Sequence, residues 1–348
     1  MLSPLLRAME AELQERRAEL GAEAVFETVY FGGGTPSLLT IPQISALLET
    51  IRSNYRIAPD AELTLEANPD DLSEKYLAEL HALGINRLSI GIQSFRDEDL
   101  QLMNRAHSAI EARDCVTRAQ AAGFGNLSID LIYGIPGLGQ ADWEENLRRA
   151  FSLNVQHISA YCLTVEPRTA LAHFVHAGKV KPVNDEDAAA QFRRLAQRMR
   201  EEGFVHYEIS NFGRPGFFSR HNTSYWKGTP YIGVGPSAHS YDGMKRRWNV
   251  ANNAQYAAAL KNKEIYWEEE TLNVQQRYNE YVMISLRTLQ GSDVELIRAQ
   301  FGENFAAHFL KEAETWIAAG RLVREENIFR LDEEGQLLAD RIASDLFF

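Results

Sequence analysis

Between residues 32 and 130 the sequence carries a spaced series of side chains suited to gripping a polar ligand: Gly32-Gly33-Gly34-Thr35, Glu66, Gln93, Arg105 and Asp130. Consecutive glycines lack Cβ, so their amides approach a phosphate, carboxylate or ammonium-bearing group closely and take dihedrals barred to other residues. No GK[ST] follows them, which excludes a P-loop, and GxGxxG is absent, which excludes a dinucleotide fingerprint. A tight turn and a binding loop remain the two readings of the triplet. In ELTLE, Thr64 and Glu66 share one face of a strand while Leu63 and Leu65 share the other. A carboxylate at the end of such a strand lies at the ligand-binding mouth or is a rim glutamate paired with a lysine or arginine. Asp130 interrupts the apolar run LSIDLIY, where an unpaired charge is costly, so it demands a partner, either Arg105 or a ligand.

The elements that would position these residues are legible in the pattern. Strand-like runs at TVYFGG (28 to 33), ELTLEANP (62 to 69), NRLSIGIQSF (86 to 95), NLSIDLIYGIP (126 to 136) and HISAYCLTVEP (157 to 167) alternate with helix-like segments. That alternation predicts a parallel sheet with crossover helices, either open and doubly wound or a (β/α) barrel. The unusual residues fall at the C-terminal ends of the strands, the shared mouth where ligands bind in both architectures. Ahead of the first strand, Ser3-Pro4 reads as the N-cap and first residue of an amphipathic helix. A helix over 185 to 203 and a strand-like YEISNF (207 to 212) close the unit, giving a first domain over 1–212. Residues 213–270 read as irregular, rich in Gly, Pro, Asn and aromatics, and 271–348 as a small helical domain in which RLVRE and IFRLD suggest a winged-helix-like module.

Composition bounds the function. The formal net charge is -12 with no basic stripe, and 271–348 carries 8 basic against 13 acidic residues, which argues against nucleic acid as a partner. No apolar stretch approaches the ~20 residues of a membrane span. The amphipathic N-terminal segment lacks the layout of a secretory signal, so a cytoplasmic address is expected, with peripheral membrane association left open. Only Cys115 and Cys162 occur, without CxxC spacing.

Taken in order, GGGTPS, LEANPDD, RLSIGIQSF, MNRAH and IDLIYGIPG resemble the radical S-adenosylmethionine (SAM) proteins related to oxygen-independent coproporphyrinogen III oxidase, from about Thr28 to the C-terminus. YEISNF, RHNTSYW and YIGVGPSAHS resemble the haem chaperone branch of that family. The resemblance implies a partial (β/α) barrel of the radical SAM type. It implies that Gly33, Gly34 and Thr35 hold the methionine part of SAM and that Glu66, Gln93, Arg105 and Asp130 line the site, Glu66 facing ribose hydroxyls and Arg105 a carboxylate. It also implies a backbone contact from Cys162. His221, Asn222 and Tyr225 match the HNxxY motif associated with haem; from the residues alone, a structural histidine in an aromatic loop is the other reading. The implied partners are haem and haem-acceptor proteins.

One departure from the family is plain. The CxxxCxxC that holds the family's [4Fe-4S] cluster is absent, and two distant cysteines cannot supply three converging thiolates, so no metal ligands are assigned and no catalytic residue is named. The family's first barrel strand is missing too, so the chain reads either as a shortened form of an ordinary haem chaperone or as a variant retaining binding alone, with cluster chemistry confined to full-length relatives. TVYFGG is then an edge strand, and self-association through it is expected. The rival reading is an oxygen-independent coproporphyrinogen III oxidase; a third is a barrel binding a phosphorylated metabolite at the glycine loop.

Overall fold

The computed structural model describes residues 2–21, 23–167, 169–181 and 184–348. The chain opens on α1 (Leu2–Glu15) and continues through β1 (Val25–Phe31), α2 (Ile41–Asn54), β2 (Arg56–Ala67), α3 (Glu74–Ala82) and β3 (Arg87–Gln93). Next come α4 (Asp97–Leu102), α5 (Ala109–Ala121), β4 (Leu127–Tyr133), α6 (Gln140–Ser152) and β5 (His157–Cys162). The series ends with α7 (Ala170–His176), α8 (Asp185–Glu201), β6 (Val205–Glu208) and β7 (Asn211–Gly213). The strands form one seven-stranded sheet in the order β1-β2-β3-β4-β5-β7-β6, curled into a partial barrel. Its ladders from β2 to β5 are parallel, and β7 runs antiparallel to both β5 and β6.

The strands present one apolar and one polar face. Leu63, Leu65, Leu88, Ile90, Ile92, Leu127, Ile129, Leu131, Ile158 and Ala160 alternate along β2 to β5, and none is more than 7% exposed. Buried side chains on α3, α5, α6 and α8, among them Leu77, Val116, Leu147 and Leu195, supply the apolar layer for this unit. Each fully buried aliphatic side chain contributes about 1.5–3 kcal/mol. The alternate residues are polar: Glu62, Thr64 and Glu66 on β2, Arg87 and Ser89 on β3, Ser128 and Asp130 on β4, His157 and Ser159 on β5. A doubly wound sheet would be apolar on both faces, so this strict alternation marks a barrel with a polar interior.

Three expectations need correction. α1 begins at Leu2, so Ser3 and Pro4 lie within its first turn rather than capping it. β2 reaches back to Arg56 across Pro59; only Thr64–Ala67 pairs with β3, so the missing proline N–H falls where that ladder needs no donor. YEISNF is a tight hairpin, β6 and β7 joined by a two-residue turn, rather than one strand.

The stretch expected to be irregular is also more ordered. It contains α9 (Arg220–Trp226), β8 (His239–Tyr241), β9 (Lys245–Asn249), α10 (Asn253–Asn262) and β10 (Trp267–Thr271), with the strands in an antiparallel sheet ordered β10-β9-β8. Short, charge-rich strands such as KRRWN and WEEET hide the alternation that sequence reading relies on. The C-terminal part carries α11 (Val274–Leu286), β11 (Ser292–Asp293), α12 (Val294–Phe301), α13 (Glu303–Ala318), β12 (Leu322–Glu325), β13 (Ile328–Leu331), α14 (Glu333–Gln336) and α15 (Ala339–Asp345). The expected hairpin is present there, β13 lying between β11 and β12.

Two compact units divide the chain: one of Val29–Leu39 and Glu62–Ser219, the other of Thr40–Ala61 and Arg220–Phe348 together with the chain up to Thr28. Among the described residues, no helix is long and apolar enough to cross a membrane.

Candidate functional site

The glycine loop, Glu66, Gln93, Arg105 and Asp130 all lie in the unit containing residues 62–219: the loop, Glu66 and Gln93 at the C-terminal ends of β1, β2 and β3, Asp130 midway along β4, and Arg105 between α4 and α5. Glu66 is the hinge of the arrangement. Its Oε1 accepts from the Tyr30 hydroxyl at 2.6 Å and its Oε2 from the Gly33 amide at 3.1 Å. Among the described residues, these partners replace the lysine or arginine that a rim glutamate would use. The carboxylate thereby ties the loop after β1 to the tip of β2. Gly33 and Gly34 have φ +72° and +62°, which only glycine takes without strain, and a Cβ on either would meet no atom within 4 Å. The space over the loop is open to a guest. Thr35 follows as the N-cap residue of a short 3-10 turn, Pro36–Leu38.

At the tip of β3, Gln93 has φ +70°, and the Ser94 amide donates to the Ile92 carbonyl at 2.9 Å, closing a γ-turn about Gln93. Positive φ in such a residue is strained, a feature that concentrates at functional sites. The same Ile92 carbonyl lies 2.9 Å from Nε2 of buried His107, which as a donor there fixes the tautomer and pins the turn. Burial lowers the His107 pKa, keeping the ring neutral. Arg105, two residues earlier, donates from Nη2 to Asn68 Oδ1 at 2.8 Å and to the Gly91 carbonyl at 3.1 Å. A Cβ at Gly91 would lie 2.8 Å from Gln93 Nε2 and 3.1 Å from Arg105 Nη2, so the bare backbone there lets both side chains converge.

Asp130 is half-buried on the polar face of β4. Its partners are hydroxyls, Ser159 and, at 3.4 Å, Ser89, so Arg105, expected as a partner, is engaged elsewhere. Burial pushes the Asp130 carboxyl up to about 6; the Ser159 hydroxyl opposes that rise, the nearby Glu66 charge adds to it, and the Ser89 hydroxyl opposes it. Thr64 Oγ1, buried on β2, has no hydrogen-bond partner among the described residues, leaving polar capacity in the interior. The base of the barrel is closed by buried His157, held between Ser128 Oγ (2.7 Å) and Tyr207 OH (2.8 Å). Cys162 ends β5, exposed, with Sγ against Gly134.

The residues fit an amino-acid nucleoside such as SAM. The glycine loop faces free space, Arg105 brings a cation beside Gln93, and Thr64 leaves a polar atom to be satisfied. They do not fit an iron–sulfur cluster. Cys115 is buried, bonded to the Ala112 carbonyl, and pushed by burial up to about 12, while Cys162 lies on a different element. No group of three or more His, Cys, Asp or Glu among the described residues could hold a metal ion.

The second constellation lies on α9, in the other unit. The His221 and Tyr225 rings, one turn apart, pack edge to face with centroids 4.8 Å apart, and Tyr225 packs likewise on Tyr231 at 4.7 Å. Asn222 lies beside His221 on the same helix, and Thr223 Oγ1 and Trp226 Nε1 are shielded from solvent without a hydrogen-bond partner among the described residues. A planar aromatic cargo bearing carboxylates would offer both a ring to pack on and acceptors for those groups. Burial pushes the Tyr225 phenol up to about 12.

Sequence reasoning missed Tyr30, Asn68, Ser89, His107 and Ser159. Ser89 and Ser159 share the alternation of Asp130, and His107 closes MNRAH, so the pattern held them; what it could not give is the γ-turn that makes His107 matter.

The comparisons agree with this architecture. Residues 3–150 match the Radical SAM superfamily and residues 272–338 the HemN C-terminal domain. The chain is 37% identical over 342 residues to the heme chaperone HemW of Mycobacterium tuberculosis, covering 98% of this chain and 85% of that one. It is 31% identical over 339 residues to the heme chaperone HemW of Bacillus subtilis, covering 97% and 89%. Among solved structures, coproporphyrinogen III oxidase (HemN) from Escherichia coli, a radical SAM enzyme, superposes with a TM-score of 0.84 at 26% identity, over 99% of this chain and 82% of that one. With likeness to its relatives running over nearly the whole length, the chain belongs to the HemW haem chaperone family of the radical SAM superfamily.

Proposed function

We propose that this protein is a haem chaperone that holds haem at α9 and hands it to acceptor proteins in the cytoplasm, with SAM as the ligand of the barrel mouth. The observation that carries the reading is the His221–Tyr225 pair on a helix that buries none of its residues, in a chain related to HemW proteins over nearly its full length. A ligand on a short helix with no fully buried residue suits a carrier, which must grip its cargo and still release it. His221 would supply the imidazole to the haem iron, Tyr225 a ring wall, and Asn222 a polar contact.

At the barrel mouth, Gly33, Gly34 and Thr35 would receive the amino-acid end of SAM, Arg105 its carboxylate and Glu66 its ribose hydroxyls, with Gln93, Asp130 and the Cys162 backbone completing the walls. SAM supplies a sulfonium centre when bound; the residues described here orient it and carry no cluster. β1 lies at the edge of the sheet, and we place self-association there.

A second reading, oxygen-independent coproporphyrinogen III oxidase, is favoured by the fold shared with HemN. Haem titration followed by the Soret band tests the first. Stoichiometric binding by the wild type, weakened and spectrally altered in His221→Ala, supports it; identical curves and spectra would remove His221 as the ligand.

A further inference from the structure

α9 has only seven residues and none is fully buried, so contacts outside the helix set its orientation. Two of its contacts within the unit bear on that orientation. Arg220 donates to the Asp60 carbonyl at 2.7 Å and lies within salt-bridge reach of Asp60 and Glu27. The other is the ring contact from Tyr225 to Tyr231.

Tyr231 is itself one side of a neck. It exchanges both backbone hydrogen bonds with Tyr241, at 2.8 and 3.0 Å, closing the intervening residues IGVGPSAHS into a loop. That loop is tight: a Cβ on Gly233 would fall 2.0 Å from the His239 carbonyl oxygen, and Gly235 has φ +103°. Backbone groups in such a loop have few partners of their own and must find them elsewhere.

Glu12 on α1 and Arg16, one residue past its end, supply them. Both are buried, with side chains 0% and 2% exposed. Arg16 Nη1 donates to Glu12 Oε1 at 2.9 Å and to the Gly233 carbonyl at 2.7 Å; Nη2 donates to Ser240 Oγ at 2.8 Å. Nε and Nη2 also reach Glu19, both at 2.6 Å. Glu12 accepts from the Gly235 amide at 2.9 Å, from Asn249 Nδ2 at 2.8 Å and from the Tyr256 hydroxyl. Ser240 Oγ in turn accepts from the Gly233 amide at 3.0 Å, so the two strands of the neck are joined through the guanidinium. Burying an ion pair is rarely the best way to gain stability, since apolar packing does as well; in some proteins its role is instead to enforce one arrangement.

We infer that Glu12 and Arg16 are positioning residues for haem binding: through the 231–241 loop and the Tyr231 ring they set the orientation of Tyr225 and His221, without touching the haem themselves. The inference rests on the haem reading above. If the motif is competent in only a tenth of molecules once the loop is released, apparent affinity falls about tenfold, because apparent Kd scales inversely with the competent fraction.

The test is haem titration of the full chain, with Soret absorbance and electron paramagnetic resonance of the ferric complex, on the wild type, Arg16→Met, Arg16→Lys, Tyr231→Leu, Arg16→Met/Tyr231→Leu and His221→Ala. Tyr231→Leu leaves the ion pair intact and carries the test if Arg16→Met does not fold. The expected result is a roughly tenfold loss in Arg16→Met and in Tyr231→Leu, a shift of both spectra toward that of His221→Ala, partial recovery in Arg16→Lys, and a double variant no worse than either single one. Wild-type affinity and spectra in Arg16→Met and Tyr231→Leu, alongside loss in His221→Ala, would overturn the inference and leave the haem reading standing. Indifference to His221→Ala would instead remove the haem reading, and the inference with it.

Discussion

Replacing Asp130 by asparagine keeps the shape of the side chain and removes the charge that its surroundings oppose. Desolvation, reinforced by Glu66, raises the carboxyl pKa from an ordinary 3.8 to about 6 in the folded protein, against the opposing hydroxyls of Ser159 and Ser89. The sign follows from proton counting. Below about pH 4 the side chain is protonated in both folded and unfolded chains and costs nothing. Between about pH 4 and 6 the unfolded chain loses the proton first, so stability falls as pH rises. Above about pH 6 both are ionised and the full penalty stands, ~3 kcal/mol at about 1.4 kcal/mol per pKa unit. The uncharged amide of the variant carries no such penalty. Urea unfolding of the wild type and Asp130→Asn at a series of pH values between 3.5 and 8, at roughly constant ionic strength, isolates the difference from every other titrating group. The variant should match the wild type near pH 4 and exceed it by ~2–3 kcal/mol at pH 8, with the gap opening between about pH 4 and 6. A gap of zero at all pH values, or one that opens in the opposite direction, would refute the claim that the barrel interior holds this carboxylate against its own solvation.

His107→Phe removes the side chain that pins the Ile92 carbonyl; it should cost about 1–3 kcal/mol in urea unfolding and speed hydrogen exchange around Gln93 and Ser94. Gly33→Ala places a Cβ in open space, so the fold should lose only the ~1–2 kcal/mol of left-handed backbone strain, while any thermal stabilisation by SAM seen in the wild type disappears. Val25 is 52% exposed on edge strand β1, and Val25→Lys should lower the concentration-dependent sedimentation coefficient expected from edge pairing; a wild type that sediments as a monomer at all concentrations would dispose of that expectation.

What the sequence revealed and what it withheld divide along physical lines. Side-chain alternation is local, so the polar and apolar faces of ELTLE, RLSIG and LSIDLI are readable, as is the placing of the glycine loop, Glu66 and Gln93 at strand ends. The alternation of strands and helices is compatible with both an open doubly wound sheet and a barrel; what marks the barrel is the polar face of Thr64, Arg87, Ser128, His157 and Ser159 buried inside the curled sheet. Partners set by tertiary contact are not readable. Nothing in the spacing says that Asp130 turns to Ser89 and Ser159 while Arg105 turns to Asn68 and Gly91. Nor does it say that His107 locks a strained turn at Gln93, because positive φ in a glutamine has no local signature. The region after Gly213 reads as irregular since its strands are three to five residues long and rich in charge. The ion pair of Glu12 and Arg16 with the 231–241 loop joins segments more than 200 residues apart, beyond any periodicity.

The central claim is that this chain carries haem in order to give it away, and the most direct measurement is transfer. The protein, loaded with one equivalent of haem and freed of excess, is mixed with a haem-requiring apo-enzyme while the acceptor's activity is followed over time. The account predicts that activity returns faster than with haem presented on serum albumin, and that His221→Ala loses this advantage. Haem that stays on the chain, or passes no faster than from albumin, would contradict it.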